Sequence, residues 1–232
     1  MKKYLFILLV CFYPFIAIAQ LQLPGKPASW HYRLKSIPPV VTVNKPVSQK
    51  QLILRKTNAP QPLVAGYTIP LADNVLQKGV WQQLPNGNFV WRLEIHLNRA
   101  SALNLYFKNI KLGQKDRLFI YNSRKGQLLG AFSRQNNGKE MGTAFLLGSN
   151  LVLELDSPKK YDILPFELTG VGNITNHAEK SLKDFGGAGA CEIPVNCPEG
   201  AKYKNQKNGV VRILLREGND QYWCSGSLIN DT

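Results

Sequence analysis

An all-β fold is what this sequence predicts, and three observations predict it. In the middle of the chain apolar residues alternate with polar ones at a period of two, short apolar runs recur at close spacing, and clusters of Gly, Asn and Pro punctuate them. No stretch keeps a helical period over a useful length, so an α/β nucleotide-binding architecture has no support. The 232 residues, 44% of them hydrophobic, suffice for one or two globular domains and argue against disorder throughout.

The first element is a leader. Lys2 and Lys3 precede an apolar run from Tyr4 to Ile18, which closes in the small-x-small pattern Ala17-Ile18-Ala19. Residues 1–19 therefore read as a signal peptide cleaved between Ala19 and Gln20, and the chain as exported to the periplasm, cell surface or medium. A stable membrane anchor is the competing reading, but the run is interrupted by Pro14 and falls short of the roughly 20 residues a spanning helix needs. Cys11 lies inside the run and leaves with it.

Residues 20–65 carry Pro24, Pro27, Pro38, Pro39, Pro46, Pro60 and Pro62 without strong periodicity, which predicts an extended arm. Residues 66–172 predict a β-sandwich. In "NFVWRLEIHL" (88–97), Phe89, Trp91, Leu93 and Ile95 alternate against Val90, Arg92, Glu94 and His96, the pattern of a half-buried strand. Strands are expected next at 102–107, 117–122, 127–132, 143–148 and 151–156, separated by turn signals such as Arg124-Lys125-Gly126 and Asn136-Asn137-Gly138.

Polar, glycine-rich residues 173–188 predict an exposed, protease-sensitive linker. From 189 to 232 the pattern restarts, with strands expected at 209–215 and 222–229 around the turn "REGNDQ". So short a segment cannot bury a core of its own. It is expected to stay incompletely folded or to borrow support from the sandwich.

Charge follows the same division. Residues 20–183 carry 22 Lys+Arg against 9 Asp+Glu, and residues 184–232 carry 5 against 6. The basic middle could favour anionic partners, yet its cations are scattered and no aromatic-rich nucleic-acid motif interleaves them, so a solvated basic surface and no nucleic-acid partner are expected.

Chemistry is sparse. The three histidines are His31 in the arm, His96 on the polar face of a predicted strand and His177 in the linker, none placed as a catalytic base. Ser225 and Ser227 stand in neither a G-x-S-x-G elbow nor a G-D-S-G-G loop and read as strand residues. Asn173-Ile174-Thr175 matches a glycosylation acceptor, a pattern common by chance. No catalytic, cofactor-binding or metal-binding residue is expected in this chain. After the leader, Cys191, Cys197 and Cys224 remain, an odd number for an exported protein. One local bridge, Cys191 to Cys197, plus a free thiol is the reading the residues alone allow.

"GACEIPVNCPEG" (189–200), "NGVVRILL" (208–215) and "WCSGSLIND" (223–231) resemble, in order and spacing, the mature N-terminus of secreted bacterial lysyl endopeptidases, serine proteases of the trypsin-like double β-barrel class. "VWQQLPNGNFVWRLEI" and "LFIYN" resemble, more loosely, the β domain of that family's precursors. The resemblance implies that residues 20 to about 183 are a propeptide, that maturation cuts after Lys183 or Lys180, and that 189–232 is the start of a truncated trypsin-like barrel. It further implies that Cys191, Cys197 and Cys224 pair with cysteines beyond Thr232, where the His, Asp and Ser of the triad would also lie. The chain as given would then be inactive. Its partners would be the catalytic domain and, for the whole enzyme, protein or peptide substrates. A propeptide of charge +13 could lie across an acidic catalytic domain by electrostatics. The alternative is an exported, non-catalytic β-sandwich that binds polyanionic surface material.

Overall fold

The computed structural model describes residues 22–44, 63–122, 124, 126–175 and 198–228. The expected signal peptide, the Ala19/Gln20 cleavage site, Lys180, Lys183, His177, Cys191 and Cys197 lie outside the described residues. The fold is all-β: among the described residues thirteen strands are joined by short 3₁₀ turns and one six-residue helix, α1 (Lys204–Gly209).

In chain order the strands are β1 (Val40–Val43), β2 (Leu63–Pro70), β3 (Val80–Gln83), β4 (Phe89–Leu97), β5 (Ala102–Ile110), β6 (Arg117–Asn122), β7 (Leu128–Phe132), β8 (Gly138–Gly142), β9 (Leu146–Leu147), β10 (Asn150–Ser157), β11 (Glu167–Ile174), β12 (Val210–Glu217) and β13 (Asp220–Ser227). They form two sheets. One runs β1-β4-β10-β6-β7, with β3 also paired to β4; the other runs β12-β13-β2-β11-β5-β8, with β9 also paired to β5.

Both sheets contribute to one apolar core. Trp91, Leu93, Ile95 and Leu97 of β4 and Leu151, Leu153 and Leu155 of β10 meet Leu103, Leu105 and Phe107 of β5 and Val171 of β11, all essentially without solvent contact. Each such side chain contributes on the order of 1.5–3 kcal/mol by leaving water. Phe166 ties the layers together, meeting Trp91 edge-on at a centroid distance of 6.1 Å and Phe107 at 5.7 Å. The alternation expected in β4 holds for Trp91, Leu93 and Ile95, which face this core, but the strand is not half-buried as expected: Val90 and Arg92 on its other face are buried too, and Phe89 is only partly covered.

Several elements differ from the sequence reading. Of the strand expected at 143–148 only Leu146–Leu147 keeps ladder geometry. Thr143 departs because its Oγ1 accepts the Leu105 backbone N–H at 3.0 Å and donates to the Ala144 carbonyl at 2.8 Å, displacing regular pairing. β1, β2, β3, β8 and β11 were not expected from local pattern. In β11, Gly172 is demanded by close approach: a Cβ there would fall 1.8 Å from Asn104 Oδ1 and 2.2 Å from Gln221 Nε2.

The described part of the Pro-rich stretch, residues 22–44, differs from a plain extended arm: it is broken by a 3₁₀ turn at Ala28–Trp30, ends in β1, and straps the outer face of the first sheet from edge to edge. Leu23 exchanges two backbone hydrogen bonds with Ala131 of β7, at 2.9 and 3.0 Å. Trp30 then packs edge-on against Tyr121 of β6. Ala28 and Ser29 donate backbone N–H groups to Asp156 and Glu154 of β10, Arg92 of β4 donates to the Ser36 carbonyl, and β1 completes the crossing in parallel register with β4.

Candidate functional site

Three places on the molecule bring chemically capable residues together. The first is the polar cluster beneath the strap. Tyr121 donates to Glu154 Oε2 at 2.7 Å, Glu154 Oε1 accepts from Ser29, and Asp156 Oδ2 accepts from Ala28. Burial, reinforced by the neighbouring Glu154 charge, pushes the Asp156 carboxyl up to about 8, and burial raises Tyr121 far above the usual phenol range. Such perturbation can mark an active site. Here the strap's own backbone donors occupy the carboxylates, so the cluster acts as a clasp rather than as a site open to substrate.

The second is a cleft of about 1050 Å³ walled by Trp81, Trp91, Tyr161 and Phe166. Trp81 and Tyr161 stack with centroids 6.4 Å apart, and Lys159 lies over the Tyr161 ring at 4.7 Å. Lys111 and Lys160 line this cleft together with Asp73, Asp162 and Glu167. Cations and anions alternate there, so the cleft offers no single-sign field to concentrate a polyanion.

The third is the β12–β13 hairpin, closed by Gly218 at φ 57°, a backbone conformation glycine tolerates without strain. β13 joins the second sheet by antiparallel pairing with β2, matching Asp220 to Tyr67, Gln221 to Gly66, Tyr222 to Val64 and Trp223 to Leu63. Trp223 is buried with Ala65, Ala102 and Ile174 and meets Phe145 edge-on at 5.8 Å. Gln221, wholly buried, donates to Thr68 Oγ1 at 3.0 Å. Arg212 stacks over Trp223 at 3.7 Å, and Arg216 reaches Tyr106 of β5 at 4.4 Å, so the sheet curls until its edge strand faces a strand four places away. Of the two outcomes expected for this segment, the fold takes the second: it draws its support from the body of the chain.

The structure does not bring the sequence-level candidates into a catalytic arrangement. His31 is exposed in the strap, and His96 Nδ1 faces Asn150 Oδ1 at 3.0 Å on the other sheet from Ser225 and Ser227, which are exposed on β13. Asn173 is buried, which denies a glycan access to it in the folded chain. Cys224 is exposed and in no disulfide among the described residues. No group of three or more His, Cys, Asp or Glu side chains among the described residues is placed to hold a metal, and no described helix is long and apolar enough to cross a membrane.

The residues that sequence reasoning missed are those of the clasp and of the hairpin's seat. Glu154 and Asp156 read as ordinary polar positions of an alternating strand, and only the strap's path reveals their burial. Thr68, Asn104 and Gly172 lie in strands that build the seat across long sequence separations, a relationship no local pattern carries.

Residues 185–232 match the family model described as "Lysyl endopeptidase, C-terminal domain". The matched stretch contains β12, β13, Cys191, Cys197 and Cys224. This supports a lysyl endopeptidase-like relationship to a secreted protease family, carried by the C-terminal part of the chain.

Proposed function

We propose that this chain is the amino-terminal part of a secreted trypsin-like serine endopeptidase precursor. Residues 1–19 serve as the signal peptide, and the strapped two-sheet body is a β-sandwich propeptide. Residues 173–188 hold the maturation site, at Lys183 or Lys180, and 189–232 begin the protease domain. Peptide-bond hydrolysis, after lysine or arginine, belongs to a triad supplied beyond Thr232, where the partners of Cys191, Cys197 and Cys224 also lie. The 232-residue chain by itself is inactive.

The observation that carries this reading is the family match over 185–232, which coincides with a hairpin that leaves several aliphatic side chains to solvent. Val210, Ile213, Leu215 and Leu228 are 60%, 38%, 47% and 68% exposed. A cluster of exposed aliphatic side chains on one hairpin is what a strand pair shows when the rest of its barrel is missing. The polyanion-binding alternative draws on the net charge alone, and the mixed lining of the cleft beside Trp81 and Tyr161 gives it no site. The test is an assay of the complete gene product and of this chain on a lysyl amide substrate: activity in the former alone supports the proposal, and activity in neither rejects it.

A further inference from the structure

We infer that β2 is a strand-addition surface that keeps hold of the hairpin after the connection between the two is cut, so that maturation cleavage alone does not release the β domain. This rests on the precursor reading for the cleavage itself, but the grip is argued from contacts alone. Residues 176–197 join β11 to the hairpin's approach in sequence, and the contacts described below involve none of them.

The grip has three parts. Backbone pairing over Asp220–Trp223 is reinforced by the Thr68 N–H, which donates to the Asn219 carbonyl at 2.6 Å. Trp223, only 8% exposed, inserts among Ala65, Ala102 and Ile174 against the Phe145 ring. Gln221 donates from Nε2 to Thr68 Oγ1 within a buried polar patch that also contains Asn104 and is fitted around Gly172. An extended segment added to a sheet edge gains affinity from main-chain hydrogen bonds and specificity from alternate side-chain pockets, and here Gln221 and Trp223 fill those pockets.

The character of the interface also assigns a mechanism. Arg216 of the hairpin crosses it to lie over the Tyr106 ring of β5, while Arg212 stacks on the hairpin's own Trp223. The three parts of the grip are backbone pairing, a buried indole and a buried amide, none of them an ion pair. Retention is expected to be insensitive to salt, in contrast to docking of a +13 propeptide by electrostatics.

The test uses the whole chain with residues 184–189 replaced by the recognition sequence of a site-specific endoprotease. After cutting, the preparation is run on a sizing column at 0.15 M and 1 M NaCl. Co-elution of both pieces at both salt concentrations is the expected result. Trp223→Ala should accelerate loss of the C-terminal piece by on the order of a hundredfold, and Gln221→Ala by a smaller factor. The melting transition of the β domain in each variant shows that its body still folds. Separation of the wild-type pieces at 0.15 M salt overturns the inference. Separation only at 1 M salt overturns it as well, because charge would then be holding the pieces. The readout is association and not peptidase activity, so failure of the precursor reading and failure of this inference are told apart.

Discussion

Asp156 Oδ2 accepts the backbone N–H of Ala28 at 2.9 Å, joining the N-terminal strap to a central strand across 128 positions of sequence. Around that bond stand the fully buried Glu154, the phenol of Tyr121, the backbone N–H of Ser29 and, on the adjacent strand, the guanidinium of Arg92. Burial chiefly, then the Glu154 charge, lifts the Asp156 carboxyl from 3.8 to about 8, so the folded strap binds a proton that the unfolded chain has released at neutral pH. A raised carboxyl contributes stability that is fully present below its unfolded value and lost as pH rises through its folded value. Melting temperature should therefore fall between pH 6 and 9, by an amount equivalent to on the order of 2 kcal/mol. Asp156→Asn, which keeps an acceptor for Ala28 and removes the titration, should flatten that slope. An unchanged slope in the variant would remove Asp156 as its cause.

Phe166 is the aromatic bridge between the two sheets. Replacing it with alanine deletes its edge-on contacts with both Trp91 and Phe107. Chemical denaturation should show a loss of about 3–5 kcal/mol. A loss under about 1 kcal/mol would mean that the core collapses around the gap and that the bridge is dispensable.

Gly172→Ala places a methyl group where Asn104 Oδ1 and Gln221 Nε2 now lie. The hairpin's seat should loosen before the core does. Amide exchange over residues 220–227 should accelerate by roughly tenfold or more, for a penalty of about 1–3 kcal/mol, while β4 and β10 keep their protection. Equal acceleration in both regions would show that the seat and the core unfold as one unit.

Cys224 presents an exposed thiol. Under native conditions a maleimide should label it within minutes in the 232-residue chain. In the complete gene product the same position should resist labelling until the protein is reduced, because the precursor reading supplies it with a partner beyond Thr232. Ready labelling in both would remove the disulfide from the account.

How much of this was legible in the sequence follows from which contacts are local. β4 could be read because Trp91, Leu93 and Ile95 mark one face at every second position, and the β12–β13 hairpin because Gly218 closes two apolar runs. β11 was hidden because Gly170 and Gly172 lower its strand propensity, yet close packing across Thr68 and Asn104 requires them. β1 was hidden because four residues among prolines become a strand only through β4, more than fifty positions away. The clasp was illegible for a related reason: a glutamate and an aspartate on alternate strand positions predict a wet face, and the strap that dries it comes from the other end of the body. For the candidate site, the hairpin could be read from its two apolar runs and turn, whereas the seat on β2 is a long-range pairing that no motif encodes.

On the proposed reading, residues 185–232 open a protease domain whose chemistry lies further along the gene. The most direct measurement is to read the gene through its 3′ end and assay the complete product beside the 232-residue chain on a lysyl amide substrate. The account predicts hydrolysis by the complete product, abolished by a serine-directed inhibitor, and none by the shorter chain. A natural stop directly after Thr232, with no hydrolysis by either preparation, would contradict it.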